Sequence, residues 1–179
     1  MRWIEHGERS LYESPWMSLR LVDVEVPGDV RFDHHVVRFP NHAAGTVMHD
    51  PARGAVLLLW RHRFTTDSWG WEVPAGNLDP GESPVEGAVR EAVEESGWRP
   101  IGPELLVTYH PMPGAVDQTF HVFYASSVEE VGPPVDVFES ERVEWVAVPE
   151  VRAAILEGRV SEGLSLTALS LAAATGRLG

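Results

Sequence analysis

The chain has no cysteine among its 179 residues. That absence excludes disulfide staples and thiolate chemistry, and it is compatible with a cytoplasmic protein. Long apolar runs are missing too, because none approaches the roughly 20 residues that a membrane span needs. The opening MRWIEHGERS lacks the apolar stretch of a signal peptide, so a cytoplasmic location without a membrane partner is expected. Positive charge is scarce: 14 Lys and Arg stand against 27 Asp and Glu, a formal net charge of −13. Such a chain has no general attraction for nucleic-acid backbones, and none is expected as a partner. If it acts on a phosphorylated ligand, local cations must offset its own field, either a bound metal or a few arginines. No internal repeat, low-complexity tract or long linker interrupts the chain. Its eight histidines are scattered, with no spaced ligand pair to an acid.

The organised stretch is Gly76 to Trp98, GNLDPGESPVEGAVREAVEESGW. Ser83 suits an N-cap, Pro84 the first helical position, and Glu86 the acid of a capping box. Gly97 supplies a left-handed stop. Between these signals Val85, Ala88, Val89, Ala92 and Val93 form one apolar stripe at helical spacing, the expected buried face. Glu91, Glu94 and Glu95 share another face at i, i+3 and i+4, where like charges cost about 0.2–0.5 kcal/mol per pair. Such a cluster is either a solvated acidic face or a site for a hard cation. Mg²⁺ bound by carboxylates and substrate phosphates is the usual form of the second.

Around this stretch the pattern alternates irregularly. Strands are expected at Met17–Val26, Val30–Phe39, Ala44–His49, Ala55–Arg63, Trp71–Val73, Glu104–His110, Thr119–Ala125 and Val143–Val148. The run AVLLLW at 55–60 reads as a strand buried on both faces. A short helix from Pro149 and a longer one over 161–174 close the chain. The expected class is α/β (α+β), a mixed sheet between helices.

The spacing Gly76, five residues, Glu82, seven residues, Arg90-Glu91, two residues, Glu94-Glu95, one residue, Gly97 and a bulky apolar residue matches the Nudix box. Ala92 alone is smaller than the usual aliphatic. The chain therefore resembles a Nudix hydrolase, most closely the branch of ADP-ribose pyrophosphatases and nucleotide-sugar hydrolases. The resemblance implies a Nudix-type α/β/α sandwich over residues 41–179. It also implies an N-terminal strand segment, 1–40, exchanged in a homodimer. Expected chemistry is cleavage of a nucleoside diphosphate linked to another group, with Mg²⁺ or Mn²⁺. ADP-ribose is the first substrate expected; GDP-mannose is the alternative.

Site roles follow residue by residue from the same resemblance. Glu91, Glu94 and Glu95, with the Ala75 carbonyl freed to turn by Gly76, would hold metal; Glu91 and Glu95 are also the catalytic candidates. Glu139 and Glu141, in FESERVEW, would activate water. Arg63 in WRHRF and Glu72 in WEVPAG would hold substrate, as would Gly114 and Asp117 in the loop HPMPGAVDQT. Gln118 stands where many relatives carry Glu, a departure from the ADP-ribose pattern. Trp16 is aligned with an aromatic that stacks on adenine. Glu82 and Arg90 are expected to support the loop and orient the neighbouring glutamates. A catalytically silent ligand sensor would carry an altered box and a basic extension, and this chain has neither. Isopentenyl diphosphate isomerisation on this fold needs the cysteine that is absent.

Overall fold

A computed structural model describes residues 2–136 and 138–179. The chain divides into two compact units. One consists of the described residues up to His42 together with His110–Thr119; the other spans Ala43–Tyr109 and Phe120–Gly179.

The first unit is a three-stranded antiparallel sheet in the order β1 (Ile4–Glu13), β2 (Ser18–Val26), β3 (Val30–Arg38). The Pro27-Gly28-Asp29 turn joins β2 to β3, with positive φ at Gly28 (97°) and Asp29 (60°). The sequence pattern misses β1. All ten of its residues are exposed, so no apolar alternation marks it. The 110–119 loop joins this unit by running alongside β3. Val37 N–H donates to the Ala115 carbonyl at 2.8 Å, and Asp117 Oδ1 accepts from Phe39 N–H at 3.1 Å.

In the second unit a mixed sheet is ordered β12 (Arg142–Ala147), β5 (Ala55–Arg63), β4 (Ala43–Asp50), β10 (Phe120–Ala125), β9 (Glu104–Tyr109). Short strands β6 (Ser68–Glu72) and β7 (Ala75–Asn77) extend it along β5 and β4. Among the described strands of this sheet only β4 and β10 run parallel. Strands β8 (Trp98–Pro100) and β11 (Val128–Glu130) form a separate pair. Helix α1 (Pro84–Ser96) covers one face of the sheet, and α2 (Val148–Leu156) and α3 (Gly163–Ala174) cover the other. The central strands serve both cores. On β4, Ala44 and Met48 pack towards α1 while Val47 packs towards α2 and α3; on β5, Leu57 and Val56 divide the same way. This two-sided burial explains the continuous apolar run at 55–59. None of the helices among the described residues is long and apolar enough to cross a membrane.

Helix α1 is capped as its sequence predicts. Ser83 and Glu86 close a reciprocal capping box, Pro84 starts the helix, and Gly97 ends it at φ 76°. Its buried face, however, corrects the expected one. The buried residues are Gly87, Ala88, Ala92, Glu95 and Ser96, whereas Val85 is exposed and Val89 and Val93 are half-buried. Small side chains let the helix lie close to β4, where Thr46 Oγ1 donates to the Ala88 carbonyl at 3.3 Å. A Cβ at Gly87 would sit 2.3 Å from Leu78 Cδ2. The valines therefore line an outward groove with Arg99 and Pro103, and Glu95 turns into the fold.

The helix stop gives a test. A Cβ at Gly97 would lie 2.0 Å from the Gly132 carbonyl oxygen, at a φ that L-residues adopt with strain. Gly97→Ala is expected to destabilise the protein by about 1–3 kcal/mol, read as a lower denaturation midpoint. A midpoint equal to that of the unsubstituted protein would contradict the packing described.

Candidate active site

The acids of α1 enter the fold beside the β6–β7 connection. Glu95 is 3% exposed, and both of its oxygens accept hydrogen bonds. Arg61 Nη2 donates to Oε1 at 2.7 Å, and Ala75 N–H donates to Oε2 at 2.9 Å. One turn earlier, Glu91 lies against Gly76, where a Cβ would sit 2.3 Å from its carboxyl carbon. Any side chain at position 76 would therefore displace that carboxylate, which is the local reason for glycine.

Arg90 is the hub of the outer half of the site. Its Nε and Nη2 grip Glu82 at 3.0 and 2.9 Å, and Nη1 reaches Glu91 at 2.8 Å and Glu94 at 2.9 Å. Nη2 also donates to the Asn77 carbonyl at 2.9 Å, tying the 77–82 loop to the helix. Glu94 is the most open of the three helix acids, with its side chain 38% exposed.

A second buried network joins β5 and β6. Arg63 Nε and Nη2 donate to the two oxygens of Glu72 at 2.9 and 2.6 Å, a bidentate pair. Glu72 also faces Arg61 Nη1 at 3.8 Å. Arg61 in turn donates to Ser140 Oγ at 3.0 Å and stands 3.8 Å from a Glu139 oxygen. The family resemblance singled out Arg63 and passed over Arg61. The available signal was their i, i+2 spacing on one strand, which puts both guanidinium groups on one face.

Burial is the largest influence on Glu95 and raises it to about 7, against the opposing pull of Arg61 and the Ala75 N–H. Burial likewise raises Glu91, opposed by Arg90. The hydrogen bond from Arg90 lowers Glu82. Desolvated carboxylate oxygens with a glycine cradle at their side suit a hard divalent cation. Among the described residues no three acidic or histidine side chains stand as a finished metal cage. The reason is visible in the ion pairs: Arg61 and Arg90 already hold oxygens of Glu95, Glu91 and Glu94. The donor chemistry fits a hard divalent cation.

The remaining candidates are dispersed. Glu141 N–H donates to the Trp60 carbonyl at 2.9 Å, which fixes its backbone beside β5. Glu139 is exposed next to Arg61. Trp16, Gly114 and Asp117 belong to the first unit. Trp16 is 79% exposed. The Gly114 carbonyl contacts His34 Nε2 at 2.7 Å, and Asp117 is engaged by Arg38 and by the Phe39 N–H.

A family model of the NUDIX domain matches residues 40–164. The chain belongs to the Nudix hydrolase family. Among curated relatives, a CMP-5'-(N-acetyl-N-hydroxy-3-aminopropyl)phosphonate hydrolase from Streptomyces rubellomurinus is 39% identical over 172 residues, covering 96% of this chain and 82% of that protein. An ADP-ribose pyrophosphatase from Mycobacterium tuberculosis is 28% identical, covering 89% and 78%. The crystal structure of an ADP compounds hydrolase superposes with a TM-score of 0.86 at 18% identity, covering 99% and 95%, which shows the shared fold.

The buried acids of this Nudix site predict a pH signature. Because folding raises Glu95 from 4.5 to about 7, its favourable contribution is present in acid and is lost as pH rises through about 7. A cation that replaces the proton should raise the thermal midpoint more at about pH 8 than at about pH 5.5. Its uptake near pH 7 should release protons, seen by calorimetry in buffers of different ionisation enthalpy. Equal midpoint gains at both pH values would contradict the burial account.

Proposed function

We propose that this Nudix hydrolase cleaves the phosphoanhydride of a nucleotide linked to a second group, with Mg²⁺ or Mn²⁺. ADP-ribose, giving AMP and ribose 5-phosphate, is the first substrate. The observation that carries the reading is the desolvated Glu91–Glu95 pair against the Gly76 cradle, flanked by the buried Arg61 and by Arg90 at the edge. Glu91, Glu94 and Glu95, with the Ala75 carbonyl, are the residues that would hold the cation. When bound, it supplies neutralisation of the diphosphate oxygens and lowers the pKa of water.

The chain's own groups do the rest. Arg63, partly exposed on its bidentate pair with Glu72, offers a planar fork to diphosphate oxygens. Arg90 holds the Glu91 and Glu94 carboxylates in place through Nη1. Glu139 or Glu141 accepts a proton from the attacking water. Water oxygen bonds to one phosphorus, the bridging P–O bond breaks, and the other phosphate leaves with the electron pair. In the first unit, exposed Trp16 is the face proposed to stack on a base. The reading includes a homodimer joined through residues 1–40. Its support is β1, exposed throughout yet carrying Ile4, Leu11 and Tyr12.

A second substrate reading has its own support. The relative from Streptomyces rubellomurinus, named for a CMP-linked phosphonate, matches almost the whole chain at 39% identity. Gln118 also departs from the ADP-ribose pattern. A panel of ADP-ribose, GDP-mannose and a CMP-linked phosphonate decides between the readings. Released AMP, mannose 1-phosphate or CMP yields phosphate only after phosphatase treatment. Glu95→Gln should keep the fold and lower turnover of the preferred substrate by more than about 100-fold. Near-normal turnover by that variant would remove Glu95 from the site.

A further inference from the structure

Among the described residues, Arg61 is the one guanidinium sealed inside the site. It is 3% exposed, and the roles assigned above do not use it. A buried Arg is costly unless its donors and its charge are matched. Here they are matched by three separate pieces of chain. Nη2 bonds Glu95 of α1 at 2.7 Å; Nη1 faces Glu72 of β6 at 3.8 Å. On the third side, Nε and Nη2 both donate to Ser140 Oγ, at 3.3 and 3.0 Å, and Nη2 stands 3.8 Å from Glu139. Every cationic side chain of this protein is arginine, since the sequence contains no lysine. At this position the distinction matters. A planar fork with several fixed donors grips a helix acid and a loop hydroxyl at once in one set geometry, which a single ammonium point charge does not impose.

We infer that Arg61 is a positioning residue: it registers the Glu139–Ser140–Glu141 segment against Glu95, so that a loop carboxylate stands beside the acidic helix when water attacks. Three features of the geometry support this assignment. Ser140 has no charge to neutralise, so two donors spent on its hydroxyl fix position rather than balance charge. Glu139 is exposed, and among the described residues the cation within 4 Å of it is Arg61, at 3.8 Å. Glu141 N–H is bonded to the Trp60 carbonyl, next to Arg61 in β5, so backbone and side chain hold the segment from adjacent residues. The inference rests on the Nudix hydrolase reading for its catalytic consequence, but the tethering itself does not need it.

The experiment compares Arg61→Lys, Ser140→Ala and a control, Arg63→Lys, by amide hydrogen exchange without substrate and by steady-state kinetics on the preferred substrate. Arg61→Lys keeps a cation beside Glu95 and loses the fork; Ser140→Ala keeps Arg61 and loses its loop partner. Both should speed exchange at residues 138–141 by about tenfold or more. Both should also lower kcat by about tenfold with KM within about threefold, since positioning acts on chemistry more than on binding. Arg63→Lys should leave exchange at 138–141 unchanged. If Arg61→Lys does not fold, Ser140→Ala alone decides. Unchanged exchange in a folded variant overturns the tether, and faster exchange with normal kcat overturns its role in the reaction. If the unsubstituted protein turns over nothing in the panel, the hydrolase reading fails, while the exchange comparison still decides whether Arg61 holds the segment.

Discussion

Negative charge is buried in this protein at a place where the fold could have put apolar side chains. Glu95 and Glu72 lie inside the second unit, and Glu91 is close behind them. Removing a carboxylate from water costs several kcal/mol unless partners compensate. The compensation comes from three arginines: Arg61 inside on Glu95, Arg63 on Glu72, and Arg90 at the edge on Glu91 and Glu94. Everything local to the site follows from that requirement. Gly76 must lack a side chain because Glu91 occupies the space, and the Ala75 N–H meets the Glu95 oxygen that Arg61 leaves without a donor.

The same constraint links the site to the layers. Helix α1 brings its acids inward only because its other inward residues are small. Gly87, Ala88 and Ala92 let it approach β4, whose own residues at the contact are Ala44, Thr46 and Met48. On the opposite face of β4, Gly45 leaves room for Ala75 and for Leu164 of α3; a Cβ there would come within 2.6 Å of Ala75 Cβ. Close approach on both sides of one strand thus places the β6–β7 connection, the helix acids and Arg61 together. In physical terms, the proposed cation site is a cluster of desolvated carboxylates held by arginines, whose charge a metal would offset.

Much of this was legible in the sequence, and the omissions have identifiable causes. The capping box, Pro84 and Gly97 are local signals, and they placed α1 correctly. The orientation of that helix was misread because valines outweigh alanines in an apolar stripe. Small residues bury more completely where two backbones come close, and only the neighbouring strand reveals that. The two-sided strand at 55–59 was plain from its apolar run. Strand β1 was invisible, since a strand exposed at every residue has no alternation. The attachment of the 110–119 loop to β3 depends on pairing across some 80 residues, through Val37 and Asp117, and no window along the chain contains it. Arg61 was hidden for a similar reason: at the end of an apolar run it reads as a surface residue, and its acids lie in β6, α1 and a distant loop.

The central claim is that the α1 acids hold a divalent ion in this fold. Binding of Mn²⁺, followed by its electron paramagnetic resonance signal in the unsubstituted protein and in a Glu91→Gln, Glu95→Gln double variant, tests it without recourse to turnover. The account predicts saturable loss of the free-ion signal in the first and none in the second, with the variant still folded by circular dichroism. Equal Mn²⁺ uptake by both proteins would contradict it.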